Sequence, residues 1–428
     1  MTETLALVES NTTGNGRALA RAARRRGLRP MLLCARPERY DYVRADDVPF
    51  VVTDTASVDA LVEAVRGLPG PVVGVASTSD HYIGTAAALA AELGLPGPDP
   101  ESVVTCRDKG RQRRALAAAG VAVPRGITVT DGSRVEAAWH RLGSGPFLVK
   151  PVTGSGSVGV RLCADAHEAR RHASPLLAES VNERGLAVPV GVLLQEYVSG
   201  PEFSVELVGA RVVGITAKHL GGLPYFVETG HDFPAVGDPD LLAALRADAV
   251  AAVAALGLTG HPAHVELRAG PAGPVVIEVN PRLAGGGIPE LVLAATGVDL
   301  IDALLDTALG RPAAPPPRHE GAAAVRFLLV PGSGVFAGVD GCAAAARMPG
   351  VLRVEVGAVP GTPMTRHGDF RDRVGSVLAT APDTARAAEL AERALRTLTV
   401  RTRSTASSRS CGSSLSSSSA AAGDGGSV

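Results

Sequence analysis

The chain has 428 residues, of which 46% are hydrophobic and only 3% aromatic, and its 42 basic and 43 acidic side chains leave a formal net charge of −1. That length predicts roughly two to four domains with aliphatic, alanine-rich cores, and the balanced charge offers no electrostatic footprint for nucleic acid or an anionic membrane. Five scattered cysteines (Cys34, Cys106, Cys163, Cys342, Cys411), a start MTETLALVES without signal-peptide features and no apolar run long enough to span a bilayer predict a cytoplasmic protein with reduced thiols.

Residues 1–95 alternate between strand and helix. Strands are expected at Leu5–Glu9, Met31–Ala35, Phe50–Thr53 and Val72–Ala76, and helices at Arg17–Arg26, Val58–Arg66 and Tyr82–Leu93. The alternation argues a doubly wound parallel sheet. The basic cluster Arg21–Arg29 reads as a solvated helix face. Gly14-Asn15-Gly16 invites a dinucleotide reading, but Leu19 stands where the third glycine belongs and Cys34-Ala35-Arg36-Pro37 lacks the ribose-binding acid. A small anion on the helix N-terminus and a plain tight turn stay open for this loop. Ser77-Thr78-Ser79-Asp80-His81 falls at the carboxyl edge of the sheet, where a ligand-binding role and an ordinary Asp helix cap are both open.

After the proline-rich hinge Pro96–Pro100, Cys106-Arg107-Asp108-Lys109 opens a basic helix that Gly120 ends. Pro146–Pro151 is a short apolar strand ending on Lys150. It runs into Thr153-Gly154-Ser155-Gly156-Ser157-Val158-Gly159 and a second strand, Val160–Cys163. The glycines spell GxGxxG, but this loop enters a strand, where a dinucleotide loop would enter a helix. A glycine hairpin rich in backbone N–H groups can instead close over phosphates; the bland alternative is a flexible tip. An unpaired lysine gains ~4 kcal/mol from a phosphate charge at ~4 Å with an effective dielectric of ~20, before desolvation.

Leu193–Glu202 reads as a strand running into a turn, then a hairpin Phe203–Val208 with Arg211–Thr216. Such a crossing either presents backbone groups to a purine edge or simply links domains. Residues 264–282, HVELRAGPAGPVVIEVNPR, read as strands His264–Arg268 and Val275–Asn280 around a Gly/Pro-rich turn. A turn centred on Ala272 sets Glu266 opposite Glu278, Val265 opposite Val279 and Leu267 opposite Ile277. Like charges with Cβ atoms ~5 Å apart are destabilising, and Asn280 points to the same face as Glu278. A hard divalent cation, Mg²⁺ or Mn²⁺, relieves that repulsion through oxygen ligands; the alternative is a hairpin with a wet outer face. Arg282 follows, ready to hold an anion.

The order of these features (a lysine, a lysine with a glycine loop, QEYVSGPEFSVE, then E…EVNPR) resembles the ATP-grasp superfamily over about residues 1–400. The run Asn280–Leu291, NPRLAGGGIPEL, and Asp372-Arg373-Val374-Gly375 look like its L-amino acid ligase (carboxylate–amine ligase) branch. The resemblance implies an α/β ATP-grasp fold. An N-terminal doubly wound domain (1–95) would be followed by a small ATP-grasp subdomain with the glycine loop (96–185). A large ATP-grasp lobe and a C-terminal α/β lid lobe over the ATP site (186–400) complete the fold, with a disordered Ser/Gly-rich tail (401–428). Strands at Ala323–Val330, Val351–Val356 and Val377–Thr380 and a helix at Thr384–Leu398 belong to the last lobe, after a linker at Arg311–Pro317.

By the same resemblance Lys109 and Lys150 hold ATP phosphates, and the loop with Ser155, Gly156 and Ser157 covers them. Glu196 and Val198 meet adenine through the backbone, Gln195 stands where the family often has Glu, and Glu202 takes the ribose. Glu266, Glu278 and Asn280 ligate Mg²⁺ or Mn²⁺. Arg282 steadies the acyl phosphate, with Lys150 as its catalytic companion. Glu228, His231, Arg282 and Gly286 are the substrate candidates, and Lys218 and His219 are weaker ones. The implied partners are small-molecule carboxylates and amines, amino acids foremost, with neither nucleic acid nor membrane; a homodimer is left open. The expected activity is ATP-dependent amide formation. A non-amino-acid or carrier-bound acceptor is the runner-up and a non-catalytic nucleotide-binding module the third reading. A Rossmann oxidoreductase is disfavoured at Leu19 and Arg36.

Overall fold

A computed structural model describes residues 2–11, 14–182, 184–312 and 320–403. The strands are β1 (Thr4–Val8), β2 (Arg29–Cys34), β3 (Phe50–Val52), β4 (Val72–Ala76), β5 (Gly126–Val129), β6 (Phe147–Pro151), β7 (Arg161–Cys163), β8 (Val192–Glu196), β9 (Glu202–Val208), β10 (Arg211–Leu220), β11 (Glu228–Phe233), β12 (Pro262–Gly270), β13 (Gly273–Asn280), β14 (Ala322–Leu329), β15 (Gly334–Asp340), β16 (Val351–Val356), β17 (Pro363–Met364), β18 (Arg373–Ala381) and β19 (Thr399–Arg403).

β1 is buried along its whole length, as a strand covered on both faces must be. It sits inside a parallel sheet of order β3-β2-β1-β4. Part of the basic helix face expected to be solvated is paired instead. Arg17 and Arg21 share Asp46, while Arg26 reaches Asp306 on the helix Leu300–Ala308, 280 residues along the chain. The glycine loop at 14–16 is a tight docking turn. Gly16 N–H donates to Asn11 Oδ1 (3.1 Å), and Asn15 Nδ2 donates to the Ala284 carbonyl (3.0 Å).

A small antiparallel sheet, β5-β8-β6-β7, carries Lys150 near the end of β6 and the glycine loop between β6 and β7. The helix Lys109–Ala118 begins beside it, capped by Asp108, whose carboxylate accepts from Arg111 N–H at 2.9 Å.

The large sheet has the order β13-β12-β9-β10-β11-β14-β18-β16. Alternation divides its centre. Phe203, Val205 and Leu207 of β9 and Val265 and Leu267 of β12 turn to one face and pack with Leu245, Ala249 and Val253 of the helix Pro239–Ala255. Glu202, Ser204 and Glu206 of β9, paired with Arg268, Glu266 and His264 of β12, form the other face, charged and yet largely buried. Strands with one apolar and one polar face normally turn the polar one to water. Here the polar face lines a site.

Four expectations change. The C-terminal lobe continues the central sheet through β14, β18 and β16, and only β17-β15-β19 forms a sheet of its own. The segment around His231 is a strand, β11, not a loop. β19 runs to Arg403, past the boundary expected for the tail at 401; residues 404–428 and the linker residues 313–319 lie outside the described residues. The hairpin pairs Val265 with Val279 and Glu266 with Glu278 as expected, but Leu267 meets Val276, because a bulge leaves Ile277 without a partner. An extra residue in one strand bends it and re-aims its side chain, and Ile277 lines the adjacent cleft.

One turn near that cleft admits only glycine. Gly200 lies between β8 and β9 with φ +123°, and a Cβ there would sit 2.0 Å from the Ala269 carbonyl oxygen, a fixed backbone atom. Gly200→Ala should therefore destabilise the protein by ~2 kcal/mol or more. A thermal melt reads this directly, and an unchanged midpoint would show that the turn has room to relax.

Candidate functional site

Two clefts meet over the charged face of the large sheet. The first is enclosed by the glycine loop, Lys109, Lys150, Val198, Glu202 and the β12–β13 hairpin. The second runs on toward the N-terminal domain, bounded by Thr78–His81, Arg184, Glu228, His231, Gly286 and Arg373. Ser155, Gly156, Lys218, Glu228, Glu266 and Arg282 line both.

At the floor lies Lys218 of β10. Its Nζ is 2.8 Å from Glu228 Oε1, 2.8 Å from Glu266 Oε1 and 3.0 Å from Glu202 Oε1. Burial opposes its charge, but the carboxylates outweigh burial and raise its pKa well above the lysine range. The reciprocal effect holds Glu228 and Glu266 well below the carboxylate range, with Arg373 helping at Glu228 and His264 at Glu266. His264 itself lies 2.8 Å from Glu206 Oε1 and 3.1 Å from Glu266 Oε1. Burial disfavours its charge, yet these carboxylates raise its pKa to about 9, so it is a cation at neutral pH.

Lys150 is the contrast. Its side chain is buried at 4% exposure, and among the described residues no carboxylate comes within ion-pair distance. Burial lowers its pKa to about 8, partly offset by the charge of Glu278. Lys109 faces it from the helix start and is held by the Gly154 carbonyl (2.9 Å) and Glu278 Oε1 (3.1 Å). The glycine loop bends through positive φ at Gly154, Gly156, Ser157 and Gly159. Ser157 Oγ donates to the Phe226 carbonyl at 3.0 Å, and Gly156 accepts Phe370 N–H at 3.1 Å.

Glu266 and Glu278 oppose each other across the hairpin, and Asn280 joins them at 4% exposure. The donor set is two carboxylates and an amide oxygen, all hard ligands suited to Mg²⁺ or Mn²⁺. Among the described residues no cluster of three or more His, Cys, Asp or Glu is arranged to hold a metal. A cation at the hairpin would thus draw its remaining ligands from phosphate or water.

The remaining expected residues fall less uniformly. Val198 lines the first cleft, and its carbonyl accepts from Arg268 Nη1 at 2.9 Å. Glu196 turns its side chain outward to Arg125, and its N–H is committed to the Arg125 carbonyl, which leaves only its own carbonyl to offer. Gln195 is buried behind Lys150 beside Ile277, and its Oε1 has no hydrogen-bond donor among the described residues. Arg282 binds Asp80 Oδ1 (2.7 Å) and the Leu283 carbonyl (2.8 Å). Asp80 also takes Arg107 (3.0 Å), so it joins two arginines and caps no helix. Burial pushes its pKa up, but the two guanidiniums prevail and hold it well below the usual range.

In the second cleft Glu228 pairs with Arg373, and His231 is 1% exposed with its ring edge-on to Phe327 at 5.4 Å. Its Nε2 is 3.5 Å from Glu228 Oε2, too long for a good hydrogen bond, and among the described residues neither ring nitrogen has another partner. Burial lowers its pKa, against the pull of Glu228, and so favours the neutral ring. Gly286 sits against it, for a Cβ there would lie 2.7 Å from His231 Nε2. The weaker candidate His219 is outside the cleft, on Asp232 at 2.6 Å.

Sequence reasoning missed Arg268. It is 6% exposed, bonded to Glu202 (Nε to Oε2, 3.0 Å) and close to the rings of Tyr197 (5.3 Å) and Phe226 (5.5 Å). The signal was the strict alternation His264, Glu266, Arg268 opposite Glu202, Ser204, Glu206.

The chain is similar to known proteins over both its central and its C-terminal parts. Residues 144–290 match the ATP-grasp domain and residues 326–403 the L-amino acid ligase C-terminal domain 2. A Sinorhizobium fredii protein designated y4rH is 39% identical over 389 residues, covering 90% of this chain and 80% of that one. Carnosine synthase 1 of Homo sapiens is 32% identical over 288 residues, covering 63% of this chain but only 35% of its own length. A probable alpha-L-glutamate ligase of Aliivibrio salmonicida is 28% identical over 55% of this chain and 74% of that one. Among solved structures, an L-amino acid ligase from Bacillus licheniformis superposes with a TM-score of 0.78 at 23% identity, over 94% of this chain and 99% of that one. Together with the glycine loop over two lysines and the acidic hairpin opposite, these matches make the chain a member of the ATP-grasp ligases, in the L-amino acid ligase family.

Proposed function

We propose that the protein joins the carboxylate of one amino acid to the amine of another in a reaction driven by ATP, releasing ADP and phosphate. The observation that carries this reading is Lys150, a buried cation with no carboxylate partner among the described residues, set between the glycine loop and the paired acids of the hairpin. An isolated buried charge is costly unless something compensates it, and a triphosphate does so.

In this reading a donor carboxylate oxygen attacks the γ-phosphorus of ATP, the bond to ADP breaks and an acyl phosphate forms. A neutral amine then attacks the carbonyl carbon, phosphate leaves with its oxygen, and the nitrogen sheds a proton. Lys109, Lys150 and the loop N–H groups bind and orient the phosphates. Glu202 and Arg268 close the far end of the first cleft, where a ribose would sit, and the free Gln195 Oε1 is a ready acceptor for a purine amino group. Glu266, Glu278 and Asn280 would hold Mg²⁺ or Mn²⁺, which when bound neutralises charge on the transferring phosphoryl group. Arg282, once drawn from Asp80, steadies the acyl phosphate, and Glu228 and His231 face the donor's amino end. The loop excludes water, which would otherwise hydrolyse the acyl phosphate. Positioning and charge neutralisation are the main contributions a protein makes to phosphoryl transfer.

The deciding assay is phosphate release with ATP and Mg²⁺ over amino acids taken singly and in pairs, with products read by mass. A product equal to the pair less water is expected; release without a coupled product would leave activation and discard amino acids as acceptors. Glu278→Gln removes one ligand charge and should abolish turnover with the fold intact, and near-normal ADP release in that variant would mean the hairpin holds no metal.

Lys150→Met should do two things of opposite sign. Turnover is lost, while the ligand-free protein becomes more stable at pH 7. The lysine pKa is about 8 folded against an ordinary 10.5, so the unfolded chain binds the extra proton between those values and wild-type stability rises with pH across that window. Below pH 8 the whole cost is present, on the order of 3 kcal/mol. Denaturant melts of wild type and Lys150→Met at pH 7 and 10 test it: the gap between the two proteins should shrink at pH 10.

A further inference from the structure

We propose that Arg184 binds the free α-carboxylate of the acceptor, so that the amine substrate is an amino acid, or a peptide ending in one, rather than a simple amine or a carrier-bound group. This inference rests on the ligase reading above and specifies its second substrate.

The ground is the charge pairing of the second cleft. Of the described lysines and arginines that line it, Lys218 meets Glu202, Glu228 and Glu266, Arg282 meets Asp80 and Arg373 meets Glu228. Arg184 alone has no described carboxylate within ion-pair distance. Its guanidinium makes one long contact, Nη1 to Tyr40 Oη at 3.4 Å, with that ring's centroid 6.0 Å away. The hydroxyl is already donated to Glu9 Oε2 and accepts the Ser10 N–H at 3.3 Å, so it offers the arginine little. Among the described residues, Arg184 is thus to the second cleft what Lys150 is to the first, a cation without a carboxylate partner.

The arginine is also held in place. Asn182 Oδ1 accepts the N–H groups of Arg184 (2.9 Å) and Leu186 (3.0 Å), and the strand pair Val181–Ala187 closes the base of the turn. Asn182 Nδ2 is bonded to His81 Nδ1 at 3.1 Å, and Leu186 packs into the core of the N-terminal domain. The described residues of this segment thus reach from the small lobe to the N-terminal domain and place Arg184 over the cleft, its own N–H held by Asn182. A guanidinium matches a carboxylate with two parallel N–H donors. Under the ligase reading the donor's carboxylate lies at the Lys150 and Arg282 end, where both clefts meet, so the anion left for Arg184 is the acceptor's.

The test compares L-alanine with L-alaninamide as acceptors, then the other proteinogenic amino acids with their amides, in wild type, Arg184→Ala, Arg184→Gln and Arg184→Lys. In wild type the acid should be preferred. In Arg184→Ala and Arg184→Gln the acceptor KM should rise roughly 10- to 100-fold, kcat and the KM values for ATP and donor should stay within about twofold, and the preference over the amide should vanish. Arg184→Lys should recover part of the loss, and all variants should melt with wild type. An acceptor KM unchanged in Arg184→Ala, an effect on ATP instead, or a wild type indifferent to the amide would overturn the assignment with the ligase reading intact. A wild type that couples no pair removes both.

Discussion

Three carboxylates from three strands around the single ammonium of Lys218 are the constraint on which the rest of the site depends. Glu202 comes from β9, Glu228 from β11 and Glu266 from β12, all within 3.0 Å of Nζ. None of these acids would be tolerated ionised in a buried sheet face without a counter-charge, and none could shift register without leaving another unpaired. The pairing of β9, β10 and β12 is fixed from one side by the aliphatic core and from the other by this electrostatic knot. Removing one partner of such a buried set costs far more than the set contributes over an apolar substitute. Its purpose is therefore placement.

Around that knot four further cationic groups are aimed inward from separate elements. The small sheet sends Lys150, the helix after the hinge Lys109, the hairpin exit Arg282 and the C-terminal lobe Arg373. Three of these are already paired, to Glu278, Asp80 and Glu228. Under the proposed function, substrate binding at such a site would be an exchange of partners, in which phosphate and carboxylate oxygens take over cations that the protein's own acids hold beforehand. Exchange preserves charge balance at each step and keeps the arginines and lysines oriented while the site waits.

Much of this was legible in the chain. The lysine at the end of an apolar strand, the glycine loop entering another strand and the acids two residues from an amide each constrain chemistry locally, so a few neighbouring residues suffice to see them. Glu266 opposite Glu278 followed from counting out from the turn. The same counting fails nearer the turn, where Leu267 meets Val276, Arg268 meets Val275 and Gly270 meets Gly273: the turn is centred between Pro271 and Ala272, and only the bulge at Ile277, which leaves no mark in hydrophobic periodicity, restores the expected pairing beyond it. β11 went unseen because ETGHDF carries its polar residues inward, against the usual alternation, and β19 because TVRTR has one apolar residue. Lys218 and Arg268 were undervalued for a related reason: their partners lie 10 to 66 residues away and meet only when the strands pair.

The glycine loop touches the C-terminal lobe through one backbone hydrogen bond, Phe370 N–H to the Gly156 carbonyl, with the Phe370 ring packed where any side chain at Gly156 would stand. The loop belongs to the part matched by the ATP-grasp domain and Phe370 to the part matched by the ligase-specific one. Opening the loop therefore requires parting from a module outside the nucleotide-binding core. Under the ligase reading, a loop that covers the nucleotide would have to break this contact to release ADP, which would tie the pace of product exit to a phenylalanine that touches no phosphate.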